Sequence, residues 1–475
     1  MRAGLIPWSH LRRITVSTVF YEAIFEHFPI LKEHTAYRNF FWYLCFGAYF
    51  DHESKRLLLC AEILAELTGK SVANFPAEEF LWRFSNDVIP LAWSDSWWPG
   101  HRCRQLAKLK LGNFQEILNA EYKKQWHEAG RVYLNGEKFS AAKAQHIRAN
   151  DRKAAQELLG QCEDARFIQK YLNNLPPHLF SRNVENNYRA AVQYAFETLR
   201  GPQLHQQLRI LKQIESQPQP FYFASSNGNS VRLFTRESIP NLQGDVRKII
   251  TQSWLDADLR ASQLAICSWV WGVEPVMEFI RCNNVWNYLC SYLDIPKEKM
   301  RNVKPVLKDA VYSLCYGMKE RHIRGYLTDT FRNFDIAEKS CEFVTEPHLQ
   351  LLLQARERQI AKITEAGGDK TCYGKALTLR EGFAARHILA QIAQAWEMKI
   401  IFPAFRLATE YPDDFKIMLY QFDGFSVHFT RRANEWKERL KLIVDKQAED
   451  LGIPTWLEWD YSNPLQEEFT FAAYP

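Results

Sequence analysis

The sequence predicts an α+β fold that is mostly helical and contains an antiparallel sheet in its second half. Two observations support this prediction. Residues 345–366 and 379–405 repeat apolar and polar residues with the spacing of long helices. Residues 415–429 instead place two apolar runs on either side of an Asp-Gly pair, which is a signal for a β-hairpin.

The composition limits the class of protein. The chain has 475 residues, of which 47% are hydrophobic and 24% charged, so it is long enough for about two to four packed regions. Its net charge of +5 permits a polyanionic partner without demanding one. The ten cysteines form no CxxC pair and no zinc-site spacing, which indicates buried, reduced thiols in a cytoplasmic protein. We find no signal peptide and no apolar run of membrane-spanning length, so we expect no membrane partner.

The N-terminal half is predicted to be helical. Residues 1–99 are rich in aromatic residues and form a region whose role the sequence does not reveal. The run at 40–50 is interpreted as a buried helix or strand, and 57–67 as a helix that ends at Gly69. Residues 100–215 follow as long, charged helices. Their cations either cover solvated helix faces or neutralise duplex phosphates. These cations are Arg102, Arg104, Lys108, Lys110, Lys123, Lys124, Lys138, Lys143, Arg148, Arg152 and Lys153.

One face of a predicted helix at 304–317 carries residues suited to a nucleotide. It consists of Lys304, Lys308, Tyr312 and Tyr316. At 3.6 residues per turn, their spacing of four stacks two cations and then two phenols along one side. The cations suit the phosphates of a nucleoside triphosphate, and the rings suit its sugar and base. The alternative is an ordinary amphipathic helix with solvated lysines and buried tyrosines.

This stretch resembles the nucleotide-binding helix of family A DNA polymerases, the group that includes bacterial DNA polymerase I. That family has a basic residue, a Lys, a Phe or Tyr, and then Tyr-Gly at this spacing, and the Gly here is Gly317. The resemblance covers the chain from about residue 200 and implies a right-hand polymerase fold with palm, fingers and thumb. The divergence from common bacterial sequences suggests a virus, plasmid or transposon as the source, so the expected location is the cytoplasm of a bacterial or virus-infected host cell. The implied regions are a thumb at 100–215, palm at 216–270, fingers at 271–384 and a second palm part at 385–475.

The resemblance also implies two metal-binding carboxylates. In residues 252–272 an apolar strand leads to an acidic residue at its end, where a carboxylate beside a backbone carbonyl suits a hard dication. Asp258 is the preferred ligand, with Leu259 beside it, because Gln263 then falls where the family has its sugar-selecting Glu. Asp256 is the second choice. The alternative to a metal ligand is a simple N-cap for the following helix.

The second carboxylate is Asp423, in the hairpin at 415–429. The family has His-Asp-Glu or a variant there, whereas this chain has Phe422 and Gly424 on either side of the Asp. A helix at 431–447 and a strand at 455–461 are predicted to complete the palm.

The resemblance further implies six contacts to primer-template DNA. They are Arg232, Asn241, Gln243, Gly317, Arg386 and Gln391. Arg232 matches the arginine of a Gly-Arg-Leu segment in the family, although Val231 stands in the place of the glycine here. The Pro-Asn-Leu-Gln turn at 240–243 matches directly. Many family members also have a phosphate-contacting His before the nucleotide helix, but the nearest residue here is Trp286, so that contact is not carried over.

The resemblance implies a template-directed DNA polymerase that extends a primer 3′ end with dNTPs by two-metal-ion chemistry. Its cofactors would be two Mg²⁺ ions, with Mn²⁺ as an alternative, and its catalytic groups Asp258, Asp423 and Lys308. Its partners would be primer-template DNA and dNTPs. A proofreading exonuclease needs carboxylates such as an Asp-x-Glu pair on a strand, with further Asp residues later. No such activity is expected here, because Asp51 and Glu53 form a DHE triplet that follows an aromatic run and leads into SKR.

Three other functions stay open from the sequence. A single-subunit RNA polymerase shares the carboxylates and a Lys…Tyr-Gly helix, but the 240–243 turn and the bulk of Gln263 argue against it. A primase-polymerase is left open by the unplaced N-terminal region. A catalytically inactive, DNA-binding polymerase fold is disfavoured by the retention of both Asp258 and Asp423.

Overall fold

The computed structural model describes residues 7–47, 49–51, 56–70, 76–91, 103–106, 131–137, 149–224 and 230–462. Within these ranges the fold is α+β and mostly helical, with small antiparallel sheets. No helix in the described ranges is long and apolar enough to cross a membrane. The cysteines described there are free thiols.

The N-terminal part, up to residue 137, combines short helices with two small sheets. Its helices are α1 (Trp8–Leu11), α2 (Thr18–His27), α3 (Ile30–Glu33), α4 (Thr35–Phe46), α5 (Ala61–Thr68) and α6 (Ala77–Asp87). Its strands are β1 (Thr15–Ser17), β2 (Tyr49–Asp51), β3 (Arg56–Cys60), β4 (Cys103–Leu106) and β5 (Arg131–Tyr133). Strand β1 pairs with β5, and β3 lies between β2 and β4.

The single helix predicted over 57–67 is therefore wrong in its first residues. Residues 57–60 belong to β3, which pairs on both sides, and only α5 is helical. Leucine favours helices locally, but pairing with two neighbouring strands overrides that preference. The run at 40–50 contains both predicted types, since α4 ends at Phe46 and β2 begins at Tyr49.

Four helices and a short hairpin connect the N-terminal part to the second half. They are α7 (Ala149–Gln161), α8 (Glu163–Asn173), α9 (His178–Thr198), α10 (Gly201–Ser216), β6 (Phe223–Ala224) and β7 (Leu233–Phe234). The helical prediction for 100–215 is thus confirmed over 149–215, apart from short connections, but it is wrong at 103–106 and 131–133, where pairing with neighbouring strands makes these residues β4 and β5. Arg102, Glu53 and the cations between 107 and 148 lie outside the described residues.

The second half is built around a four-stranded antiparallel sheet with the order β11-β12-β8-β13. Its strands are β8 (Leu255–Leu259), β11 (Phe415–Tyr420), β12 (Gly424–Phe429) and β13 (Leu457–Asp460). In the β8–β12 register, Gly424 lies opposite Asp258. The predicted strands and hairpin are confirmed at these positions.

The Asp-Gly pair does not form the turn of this hairpin, contrary to the sequence prediction. The turn consists of residues 421–423, and the residue with the left-handed backbone is Phe422, with φ +71°. Gly424 is already the first residue of β12. Glycine is required at position 424 because β8 comes close to it: a Cβ there would overlap Asp258 Oδ1 and the carbonyl oxygen of Ala257.

The remaining elements are mainly helices around this sheet. They are a 3₁₀ turn (Ile239–Asn241), α11 (Gly244–Ile250), α12 (Ser262–Val270), α13 (Glu274–Cys282), α14 (Val285–Tyr292), α15 (Lys297–Cys315), α16 (Glu320–Phe331), a second 3₁₀ turn (Arg332–Phe334), α17 (Lys339–Thr345), α18 (Pro347–Ala366), β9 (Gly368–Lys370), β10 (Ala376–Thr378), α19 (Ala385–Glu410) and α20 (Ala433–Asp450). The predicted helices at 304–317, 345–366, 379–405 and 431–447 correspond to α15, α18, α19 and α20.

The end of α15 is fixed by a glycine cap. Gly317 has φ +84°, and its N–H donates to the Leu314 carbonyl at 3.1 Å. The N–H of Met318 donates to the Ser313 carbonyl at 2.9 Å. This pair of bonds is a Schellman motif, which favours glycine at the left-handed position. Apolar residues from Trp8 to Leu457 form one continuous core beneath these elements.

Candidate functional site

Asp258 and Asp423 are held side by side by the pairing of β8 with β12. The residue after Asp423 lies opposite Asp258, and the Leu259 N–H donates to the Asp423 carbonyl at 3.0 Å. Asp423 also accepts a hydrogen bond at its carboxylate from Ser262 Oγ at 2.9 Å. The Asp258 carboxylate accepts none from the described residues and is exposed. One of two adjacent carboxylates is therefore open to an incoming ligand.

The electrostatic environment of Asp258 favours a positive ligand. Its carboxylate is open to solvent on one side, but protein surrounds it on the others. This desolvation, followed by the charges of Asp423 and Asp256, raises the pKa of Asp258 to about 7, although Arg247 and Lys308 act in the opposite direction. Two carboxylates held this close bind either a proton or a cation more readily than isolated ones do.

Asp256, the second choice for the metal ligand, is committed to internal contacts. Its side chain is buried, and Oδ1 accepts hydrogen bonds from Ser426 Oγ and, at 3.2 Å, from Gln421 Nε2. Its Oδ2 lies 3.6 Å from an Arg247 guanidinium nitrogen. This geometry favours Asp258 over Asp256 as the residue that receives an external ligand.

The donor set at the carboxylate pair fits Mg²⁺ that is shared with a substrate. In the described part of the chain, no group of three or more His, Cys, Asp or Glu side chains is placed to hold a metal. The pair supplies two hard oxygen ligands, and Leu259 supplies a neighbouring carbonyl. Mg²⁺ usually binds through one or two carboxylates and takes its other ligands from water and phosphates. The N-cap explanation for Asp258 fails, because the N-cap of α12 is Ala261.

Helix α15 points its predicted nucleotide face toward these carboxylates. The charge of Lys308 acts on the pKa of Asp258, and burial raises the pKa of Tyr312 well above its usual range, with Asp423 the next contributor. Lys308 is exposed, whereas Lys304, one turn earlier, is half-buried. The structure thus groups Lys308 and Tyr312 with the carboxylate pair.

Trp286 on α14 lies beside this face. The Lys308 Nζ is 5.5 Å from the centre of the Trp286 ring, within the range of a cation–π contact. The same ring packs edge-on against Tyr312, with ring centres 6.0 Å apart. Trp286 therefore contacts Lys308 and Tyr312 through its ring and offers no charge of its own to a phosphate.

The end of α15 is tied to α12 and α19. The Tyr316 hydroxyl donates a hydrogen bond to Gln263 Oε1, and the Gln263 side chain is buried. Gly317 lies against the first turn of α19, where a Cβ would come within 2.9 Å of Arg386 Cβ. These contacts place the Tyr316 ring and Gln263 in one wall, and they explain Gly317 by backbone geometry.

Glu397 is a site residue that the sequence analysis missed. It is fully buried on α19, forms an ion pair with Arg232, and lies with Oε1 3.2 Å from Ser262 Oγ. Burial raises its pKa to about 7, an effect that Arg232 opposes and Asp423 adds to. Because Ser262 has one hydroxyl proton, it can donate to Glu397 or to Asp423 at any moment. We call Arg232, Glu397, Ser262 and Asp423 the Ser262 network.

A sequence signal for Glu397 does exist. It is a lone acidic residue within the apolar run AWEMKIIF, and an isolated charge on a buried helix requires a partner. The partner, Arg232, lies 165 positions away in the chain, so the sequence does not name it.

The predicted DNA contacts fall into two groups. Arg232 is engaged with Glu397, and its guanidinium also stacks over the Phe422 ring at 4.6 Å. Arg386 is exposed at the start of α19, and Gln391 is half-buried, with Oε1 lacking a hydrogen-bond donor in the described chain. These three therefore lie on, or directly behind, the elements that form the carboxylate site.

Asn241 and Gln243 instead use their side-chain oxygens to build their own turn. Asn241 Oδ1 accepts from Thr235 Oγ1 at 3.1 Å and from the Ser238 N–H at 3.2 Å. Gln243 Oε1 accepts from the N–H groups of Asp245 and Val246, in the first turn of α11, at 3.1 and 3.2 Å. Asn241 is exposed, so its amide NH₂ remains available to a ligand.

Comparison with solved structures finds similarity to the POL domain of Pol1 from M. smegmatis, solved in complex with DNA primer-template and dNTP. The two chains are 12% identical, with a TM-score of 0.44. The alignment covers 68% of this chain and 65% of that one, so this chain spans just under two thirds of its length. No protein-family model matches the chain, and no curated protein matches it.

Proposed function

We propose that the protein is a template-directed DNA polymerase that adds dNTPs to a primer 3′ end and has no proofreading exonuclease. The observation that carries this proposal is the carboxylate pair Asp258 and Asp423, which faces the Lys308, Tyr312 and Tyr316 side of α15. Nucleotidyl transfer uses carboxylates to hold metal ions and cations to neutralise the phosphates, and this arrangement offers both. In this proposal the four-stranded sheet is the palm, 271–384 the fingers and 149–215 part of the thumb.

The carboxylates and the backbone position the reacting groups. Two Mg²⁺ ions, when bound, lower the pKa of the primer 3′-hydroxyl and neutralise charge on the triphosphate. Asp258 offers the open carboxylate, while the Ser262 hydroxyl and the Leu259 N–H hold Asp423 in place. Gly424 brings the backbone of the hairpin against Asp258 without a side chain between them. The chemistry is therefore mostly positioning and charge neutralisation.

The helix face holds the nucleotide. Lys308 leaves the Trp286 ring to contact the phosphates, with Lys304 one turn behind it. Tyr312 lies against the sugar, and Tyr316 with Gln263 forms the wall beside the base and sugar. Gln263 keeps the bulk that excludes a 2′-hydroxyl but carries no charge.

Primer extension with separated variants tests the proposal. We expect Asp258→Asn and Asp423→Asn to abolish dNTP addition with Mg²⁺ while primer-template affinity stays within about twofold. Asp309→Asn, on the exposed side of α15, is the matched control and keeps full activity. Activity in Asp258→Asn together with its loss in Asp256→Asn would reassign the metal ligand to Asp256.

The same assay separates the competing functions. Extension of primed templates by dNTPs but not rNTPs supports the DNA polymerase, whereas synthesis on unprimed templates indicates a primase-polymerase. Preference for rNTPs indicates an RNA polymerase. DNA binding without any synthesis would leave only the inactive polymerase fold.

Lys308→Ala tests the nucleotide face. A charged phosphate contact that strengthens in the transition state raises KM for dNTP and also lowers kcat, with DNA affinity unchanged. Lys319→Ala, an exposed lysine beyond the end of α15, is the control. A defect confined to DNA binding would remove Lys308 from the nucleotide site.

A further inference from the structure

A cleft of about 320 Å³ lies between the N-terminal part and the segment that leads into the 239–241 turn. Three pieces of chain line it: residues 12–13, the end of β5 with the residues after it, and residues 236–237. None of these residues belongs to the carboxylate site. The cleft is therefore a second candidate for ligand binding, and it includes residues from the region whose role the sequence leaves open.

The cleft carries excess positive charge. Arg12 and Arg13 are exposed, and their guanidinium groups form no ion pair within the described chain. The Glu237 carboxylate is already satisfied by Arg209, at 2.5 Å, and both side chains are largely buried. Arg236 Nε lies 3.6 Å from the same carboxylate. Three arginines and two glutamates, Glu137 and Glu237, therefore line the cleft, and Glu237 is also neutralised by Arg209 from α10.

Helix α10 holds two walls of the cleft in fixed positions. Gln213 exchanges two buried hydrogen bonds with Thr15, at 3.1 and 2.9 Å, just after the turn that carries Arg12 and Arg13. One turn earlier on the same helix, Arg209 holds Glu237. Residues four apart lie on one face of a helix, so both anchors project from the same side. The backbone segments that carry Arg12, Arg13 and Arg236 are thus held in fixed positions, which lowers the ordering cost of binding.

We propose that this cleft binds backbone phosphates of primer-template DNA, so that the N-terminal part acts as a DNA-binding element. This inference rests on the proposed polymerase function. Arginine forks match phosphate oxygens, and phosphate contacts position nucleic acid without reading sequence. The cleft adjoins the turn that carries the exposed Asn241, and the Gln243 N–H in that turn is bonded to Gln207 of α10 at 2.8 Å. DNA bound at the turn would therefore pass close to the arginines.

The test compares primer-template affinity of the full chain with that of Arg12→Gln/Arg13→Gln. Fluorescence anisotropy without dNTP or metal gives Kd over a range of salt concentrations. Each lost phosphate contact lowers the salt slope by about 0.9, so we expect a decrease of roughly 1.8 and an affinity loss on the order of tenfold at low salt. Lys32→Gln/Arg83→Gln removes two exposed cations of the same region that do not line the cleft, and it should bind like wild type.

Two further measurements make the outcome decisive. The incorporation rate at saturating DNA should be unchanged in Arg12→Gln/Arg13→Gln, and thermal unfolding should match wild type. Weaker binding of a fluorescent dATP in the absence of DNA, with DNA affinity intact, would overturn the proposal in favour of a free-nucleotide site. Equal DNA affinity and salt slope in the two double variants would also overturn it. If wild type binds DNA through these arginines but never extends a primer, the inference stands and the polymerase proposal fails.

Discussion

Asp258 shows how the fold raises the pKa of a carboxyl group by desolvating it beside other carboxylates. Its raised pKa means that, between about pH 4 and pH 7, the folded chain holds a proton that the unfolded chain has released. The stability tied to this group is therefore fully present below about pH 4 and is lost progressively as the pH rises from there to about 7. Above that pH, two adjacent carboxylates repel each other unless a cation is bound.

Asp258→Asn should consequently stabilise the metal-free protein. We expect its Tm in EDTA at pH 8 to exceed that of wild type by on the order of one or two degrees, and the difference to shrink at pH 5. Differential scanning calorimetry at the two pH values measures this, with Asp309→Asn as the control. The pKa of Glu397 is also raised by burial, but this residue is present in every variant, so its effect on Tm cancels when the variants are compared. A lower Tm for Asp258→Asn at pH 8 would contradict the repulsion.

Tyr312 should control the choice between dideoxynucleotides and deoxynucleotides. Its hydroxyl has no hydrogen-bond partner in the described residues, and its ring is oriented by Trp286. A phenol there can replace the interaction lost with a missing 3′-hydroxyl, which is worth about 0.5–1.5 kcal/mol. We expect wild type to incorporate dideoxynucleotides readily and Tyr312→Phe to discriminate against them about tenfold more. Competition between each dNTP and its dideoxy analogue measures the ratio, and equal ratios in the two proteins would remove Tyr312 from the sugar site.

At the scale of elements, the contact between β8 and β12 is unusually intolerant of a side chain. Gly424 does not need glycine for its φ; it needs glycine because Asp258 occupies the space of its Cβ. Even a methyl group must push apart the strands or turn the carboxylate away. Family A polymerases, which the sequence resembles, have an acidic residue at the position of Gly424. An acidic side chain has no room there in this chain while Asp258 keeps its position.

Gly424→Ala should therefore reduce catalysis far more than DNA binding. We expect kcat for dNTP addition to fall by about 100-fold or more, because displacement of a catalytic group by about 1 Å has effects of that size. Gly244→Ala is a matched control, since a Cβ there meets no atom within 4 Å. Steady-state kinetics at saturating DNA, with circular dichroism to verify folding, provides the measurement. Near-normal kcat would show that the hairpin yields without moving Asp258.

Some elements were predictable from sequence and others were not, for physical reasons. Helix α15 and strands β8 and β12 carry strong local patterns, so their positions follow from spacing and apolar runs. The β3 strand does not, because its leucines become a strand only when β2 and β4 flank it. Likewise, the Asp-Gly pair signals a turn locally, but the β8–β12 register assigns its glycine to a close contact.

In the candidate site, too, some residues are predictable from the sequence and others are not. Lys308, Tyr312 and Tyr316 share a helix face by spacing alone, so a local pattern predicts them. The Ser262 network depends on Arg232, Ser262, Glu397 and Asp423 meeting from four separate elements, which no local pattern encodes. The sequence around Arg232 likewise does not indicate its ion pair with Glu397.

At the scale of the whole molecule, the continuous core couples the N-terminal part to the rest of the chain. It includes Trp8 and Phe20 together with Leu440 and Leu457, so the N-terminal part is packed into the same core as the carboxylate site. Under the proposed function, this arrangement suits a region that binds DNA alongside the carboxylate pair.

We predict that the purified protein does not shorten a mismatched primer end. The basis is the lack of an exonuclease carboxylate pattern early in the sequence. A 5′-labelled primer with a mismatched 3′ end, incubated with Mg²⁺ and without dNTPs, provides the measurement, and Asp258→Asn is the companion variant. Stepwise 3′→5′ shortening that persists in Asp258→Asn would reveal a separate nuclease site.

The contact between Lys308 and Trp286 also gives the protein an optical signal. An ammonium group over an indole ring perturbs the emission of that indole, and Lys308 must leave the ring to reach a phosphate. Binding of dNTP should therefore change tryptophan fluorescence as Lys308 leaves the ring. Stopped-flow traces of wild type and Trp286→Phe would isolate this component from the other tryptophans. Such a signal would allow nucleotide entry to be timed separately from bond formation, without attaching any dye.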